Sequence, residues 1–96
     1  MTPSPFTFDT SEESEAFCLR ICDALMEVFG CSRDKAIWLV NQYWKDAKSI
    51  EDDPLLYHES AYYYAMCIGH HPVLGDGEKI WWKNAKYWPP PPGWEV

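Results

Sequence analysis

The sequence predicts an all-α fold: a three-helix core with a short fourth helix and a proline- and aromatic-rich C-terminal strap. Three observations carry that expectation. Apolar residues recur at three- and four-residue steps through the first half of the chain. Each periodic stretch opens on a serine with acids close behind it, the signature of a capped helix start. The last quarter loses the period and holds tryptophans around four consecutive prolines, which cannot continue a helix. An α+β fold is the alternative, in which residues 71–96 would pair as strands.

With 96 residues, of which 47% are apolar, the chain has material for one small domain and one core. Residues 1–9 read as an extended arm, since MTPSPFTF carries two prolines and no helical period, and Phe6 and Phe8 can dock on the body. Residues 10–70 form the helical core. Helix one runs from about residue 12 to 29. Ser11 is its N-cap, Glu12, Glu13 and Glu15 suit the positive end of its dipole, and Gly30 ends it in a left-handed conformation. Ser11 and Ser14 do not make the standard capping box, whose third position is Glu or Gln. Phe17, Ile21, Ala24, Leu25 and Val28 share one side.

Ser32 caps a second helix, with Asp34 in its first turn. Ala36, Ile37, Leu39, Val40, Tyr43, Trp44 and Ala47 lie along its buried side, and Lys45 and Lys48 fall in its last turn. The short link at Gly30 to Ser32 folds this helix back on the first. Asp52 or Asp53 before Pro54 starts helix three, which reaches about Gly69, with Pro72 blocking extension. In residues 71–96, Glu78 to Tyr87 form a short helix, and Pro89 to Pro92 form a polyproline II segment that lies as a stiff strap across the domain.

Charge is unevenly distributed within a total of -7. Residues 1–30 carry six acids and one arginine, whereas residues 51–78 hold six acids, all three histidines and four tyrosines without a lysine or arginine. Such a surface repels phosphate backbones and attracts basic partners, which disfavours direct nucleic-acid binding. There is no apolar run long enough for a membrane span and no signal-peptide pattern at the N-terminus, so the expected location is cytoplasmic and no membrane contact is expected. In that compartment the four cysteines stay reduced.

No motif fixes a reaction. His58 and Glu59 open an HExxH pattern, but Tyr62 stands where its second histidine belongs. On a continuous helix His58 and His70 would lie about 18 Å apart along the axis. Cys18, Cys22, Cys31 and Cys67 match no zinc-finger spacing and read as core thiols, so no metal or cofactor is expected. Lys79, Lys83 and Lys86 line one side of the last helix, and the KxxPxxP spacing of Lys86, Pro89 and Pro92 is too short a match to assign a docking peptide.

The favoured function is a small acidic protein-binding module, an inhibitor or immunity-type antagonist of a basic, nucleic-acid-acting protein. Its expected contact residues are Glu51, Asp52, Asp53, Tyr57, His58, Glu59, Tyr62, Tyr63 and His70, since tyrosine supplies rigid contact area and acids steer the encounter. A small enzyme or ligand-binding domain with a His/Glu/Tyr pocket is the alternative, followed by a cysteine metal site. The aromatic content also leaves room for a homo-oligomer.

Overall fold

The computed structural model describes residues 4–46, 59–75, 77 and 79–94. It contains three α-helices, α1 (Glu12–Phe29), α2 (Arg33–Tyr43) and α3 (Ala61–Gly69), and one 3-10 turn at Trp81–Lys83. No strand occurs among the described residues, so the α+β alternative has no support. None of these helices is long and apolar enough to cross a membrane.

Helix α1 is the centre of the fold, packing on α3 along one flank and on α2 along the other, while α2 and α3 meet more sparingly. Its bounds are those the periodicity predicts. Ser14, Cys18, Ile21, Cys22, Ala24 and Leu25 are buried, and Phe17 and Val28 pack at the margin. Its start differs from expectation. Ser14 does the work usually given to Glu or Gln: its Oγ accepts from the Ser11 amide at 2.8 Å, and Ser11 Oγ accepts from the Ser14 amide at 3.2 Å. The pair is a reciprocal capping box built from two serines. At the other end Gly30 adopts φ 68°, and its amide donates to the Met26 carbonyl at 2.9 Å.

Helix α2 is capped as expected, Ser32 Oγ accepting from the Lys35 amide at 3.1 Å. It stops at Tyr43, a turn earlier than the apolar pattern implies. Trp44 leaves helical geometry (φ -108°, ψ 27°) and is buried against Phe8, Tyr43 and Tyr64. Lys45 therefore follows the helix instead of closing it; Ala47 and Lys48 lie outside the described residues.

Helix α3 is half the expected length. Ser60 is extended (φ -74°, ψ 162°) and its side chain accepts from the Tyr63 amide at 3.2 Å, which makes Ser60 the N-cap. No helix therefore continues into α3 through Ser60. The expected start at Asp52 or Asp53 lies outside the described residues.

The segments at residues 5–8 and 81–94 are both tied to this core. Phe6 and Phe8 stack at 5.6 Å between centroids and are buried. Asn41 fixes the arm from both sides, its Oδ1 accepting from the Thr7 amide at 2.9 Å and its Nδ2 donating to the Pro5 carbonyl at 3.2 Å. At the C-terminal end the expected ten-residue helix reduces to the 3-10 turn. Asn84 is extended (ψ 118°), and its side chain accepts from the Lys86 amide at 3.0 Å, starting a separate turn. The proline run likewise does not continue straight. The Trp94 amide donates to the Pro91 carbonyl at 3.0 Å with Gly93 at φ 92°, a turn that brings Trp94 back into the core.

Candidate functional site

Of the expected contact residues, Glu51, Asp52, Asp53, Tyr57 and His58 lie outside the described residues; Glu59, Tyr62, Tyr63 and His70 do not. Because the helix begins at Ala61, Glu59 precedes α3 and is exposed. The other three lie on α3 or at its end, and the chain's own C-terminal segment covers them.

Tyr62 is 1% exposed. Its hydroxyl donates to the Tyr87 carbonyl at 2.6 Å, and its ring packs beside Trp88 and Trp94 at centroid distances of 6.4 and 6.2 Å. Burial, and secondarily its neighbours Tyr87 and Glu27, push its ionisation up, so the phenol stays a neutral donor. His70 is 3% exposed. Its ring meets Phe29 at 4.9 Å, Tyr87 at 4.6 Å and Trp81 at 6.2 Å. Neither side chain is presented to an incoming partner in this arrangement; both are core residues.

Tyr63 is half-buried, with its ring against Tyr64, Trp81 and Trp88. One turn on, Cys67 shares a side-chain hydrogen bond with it. Proximity to Cys67 is the main cause that raises the Tyr63 phenol. Burial is the main cause that raises the Cys67 thiol, although the Tyr63 hydrogen bond acts against it. The adjacent Glu59 charge raises both. This cluster is therefore poorly suited to nucleophilic chemistry, which needs a lowered thiol or phenol.

The other cysteines lie on or just after α1. Cys18 and Cys22 are fully buried in α1, Cys31 and Cys67 are partly exposed, and none of the four is joined in a disulfide. Burial raises the Cys22 thiol to about 11, against a smaller lowering influence of Arg33. Among the described residues no three His, Cys, Asp or Glu side chains gather in a way that could hold a metal ion.

Two clefts flank Leu74. One, of about 360 Å³, is lined by Phe29, Cys31, Lys35, Leu39, Gly69 and Gly75 with Leu74. The other, of about 300 Å³, has Gln42, Tyr43, Lys45, Asp46, His71 and Val73 around the same leucine. Neither is lined by Glu59, Tyr62, Tyr63 or His70, so a pocket shared by those groups is not assembled at either cleft.

Acidic surface is nevertheless present. Asp9, Glu12, Glu13, Asp23 and Glu27 are exposed along α1 and the turn before it. The base on this helix, Arg20, is turned to the strap: its guanidinium lies 4.0 Å from the Trp94 ring centroid and donates to the Gly93 carbonyl at 2.7 Å. The five-charge excess of residues 1–30 is the sequence signal for this face, separate from the histidines and tyrosines of residues 51–78. In comparisons with known proteins, no family model matches the chain, and no curated protein or solved structure shows significant similarity to it.

Proposed function

We propose that the protein is a small acidic protein-binding module of the cytoplasm, an inhibitor or immunity-type antagonist whose partner offers a basic surface, such as that of a nucleic-acid-acting protein. The supporting observation is the exposed acidic edge of α1, with Glu12, Glu13, Asp23 and Glu27 uncovered while Arg20 is occupied by Trp94 and Gly93. Opposed fields speed encounter and reject partners of like charge. The acids Glu51, Asp52, Asp53 and Glu59, with Tyr57, His58 and Tyr63, form the second contact region in this reading; Tyr62 and His70, which are buried, take no direct part in it.

The test begins with salt-graded capture from native lysate, followed by affinity measurements on the purified basic species. Two charge-reversed variants are compared with the wild type: Glu12→Lys with Glu13→Lys, Asp23→Lys and Glu27→Lys, and separately Asp52→Lys with Asp53→Lys and Glu59→Lys. Each set is expected to weaken binding at least about tenfold at low salt, with unchanged circular dichroism. An unaltered Kd in both variants would overturn the acidic-surface reading.

A further inference from the structure

We propose that His71 is a pH-operated latch on the turn that carries Val73 and Leu74. The turn follows α3 and runs through Pro72, Val73, Leu74 and Gly75. Proline has no amide donor. The three donors that remain all end on one residue: the Val73 and Leu74 amides donate to His71 Nδ1 at 3.2 and 3.3 Å, and the Gly75 amide donates to the His71 carbonyl at 2.9 Å. The His71 amide in turn donates to the Ile68 carbonyl at 3.2 Å, which fastens the residue to α3. Gly75 lies so close to the Gly69 carbonyl that a Cβ there would overlap it.

An imidazole nitrogen accepts a hydrogen bond only when it carries no proton. In the neutral ring, Nδ1 is the acceptor and Nε2 holds the proton. When the ring takes a second proton, Nδ1 becomes a donor that faces two other donors. Both side-chain bonds are then lost together, and only the Gly75 bond still ties the turn to His71. Histidine makes this exchange within about pH 5–8. Among the described residues, the titratable and charged groups near the ring are Tyr43, edge-on at 6.2 Å, and Lys45 and Asp46, which follow α2 and line the same cleft as His71.

The released segment matters because of its position. Val73 is 84% exposed, and Leu74 forms the wall common to both clefts. The latch thus sets the shape of two clefts and the presentation of an apolar residue according to pH. This inference does not depend on the acidic-surface reading.

The test is nuclear magnetic resonance on the full chain between pH 8 and pH 5. In the wild type, the ring nitrogens at high pH are expected to report the proton on Nε2. Protection of the Val73 and Leu74 amides, corrected for intrinsic exchange, should fall about tenfold as the ring charges, while the Met66 and Ile68 amides in α3 hold. His71→Asn supplies a carbonyl oxygen that accepts from the same two amides without titrating, so its protection should be level across the range. His71→Ala should lack protection at both ends. A proton on Nδ1 at high pH, constant Val73 and Leu74 protection through the wild-type titration, or the same pH dependence in His71→Asn would each overturn the latch.

Discussion

Tyr62, His70, Cys22 and Arg20 show how far a residue's chemistry depends on what covers it. Tyr62 and His70 carry polar groups that suggest a contact surface, yet each is enclosed by aromatic rings from the C-terminal segment. Tyr62→Phe removes the 2.6 Å bond to the Tyr87 carbonyl and should cost about 1 kcal/mol in urea unfolding, since a part-buried acceptor loses its donor. For Cys22 the sign follows from its raised ionisation. The folded state holds the thiol proton more tightly than the unfolded chain does, from a reference of 9.0 to about 11. Its contribution is complete below about pH 9 and declines as pH rises through about 11. Stability measured across that range should fall more steeply in the wild type than in Cys22→Ala, after the overall loss from the cavity is subtracted. Arg20→Ala removes both the ring contact and the Gly93 bond and should lower stability by about 1 kcal/mol, with a change in tryptophan fluorescence from Trp94.

At the scale of the element, most of the logic is local and was legible. The period of α1, its acidic first turn and Gly30 place its ends where the backbone has them. Three departures share one cause, the competition of short polar side chains and large rings for backbone that a helix would otherwise use. Ser14 completes a capping box that the usual Glu/Gln pattern does not reveal, because at a fully buried position only a small hydroxyl fits. Ser60 starts α3 late, and Trp44 ends α2 early by turning into the core. Ser14→Ala and Ser60→Ala should each cost about 1 kcal/mol in chemical denaturation. Ser14→Glu, despite matching the standard pattern, should be worse than Ser14→Ala because it buries a charge. Gly69 tests helix packing rather than capping. A Cβ at this position would enter the Phe29 ring, so Gly69→Ala should destabilise by about 1–3 kcal/mol even though alanine is the better helix former.

Over the whole molecule, the strap decides which surfaces remain available. Tyr62, Tyr63, His70 and Phe29 all pack against residues between Trp81 and Trp94. Removal of residues 87–96 should expose that aromatic face, raise binding of an apolar dye, and lower the melting temperature by more than Arg20→Ala does. A truncated chain with unchanged melting and no dye binding would show that the strap is dispensable. The candidate site was only partly legible for the same reason. Net charge by segment is a property of composition, and the acidity of residues 1–30 could be read directly. That Tyr62 would be sealed by Trp88 and Trp94 from the far end of the chain could not.

By itself the sequence determined the helical class, the bounds of α1, the cap of α2, the docking capacity of Phe6 and Phe8, and the acidic balance of the chain, because periodicity, capping and charge are set by neighbours within one or two turns. Only the tertiary structure decided that a buried serine would close the capping box of α1 and that Tyr62 and His70 would be core residues. Those outcomes depend on which surfaces long-range packing removes from water, and burial decides whether a polar side chain meets a partner or bonds within the fold.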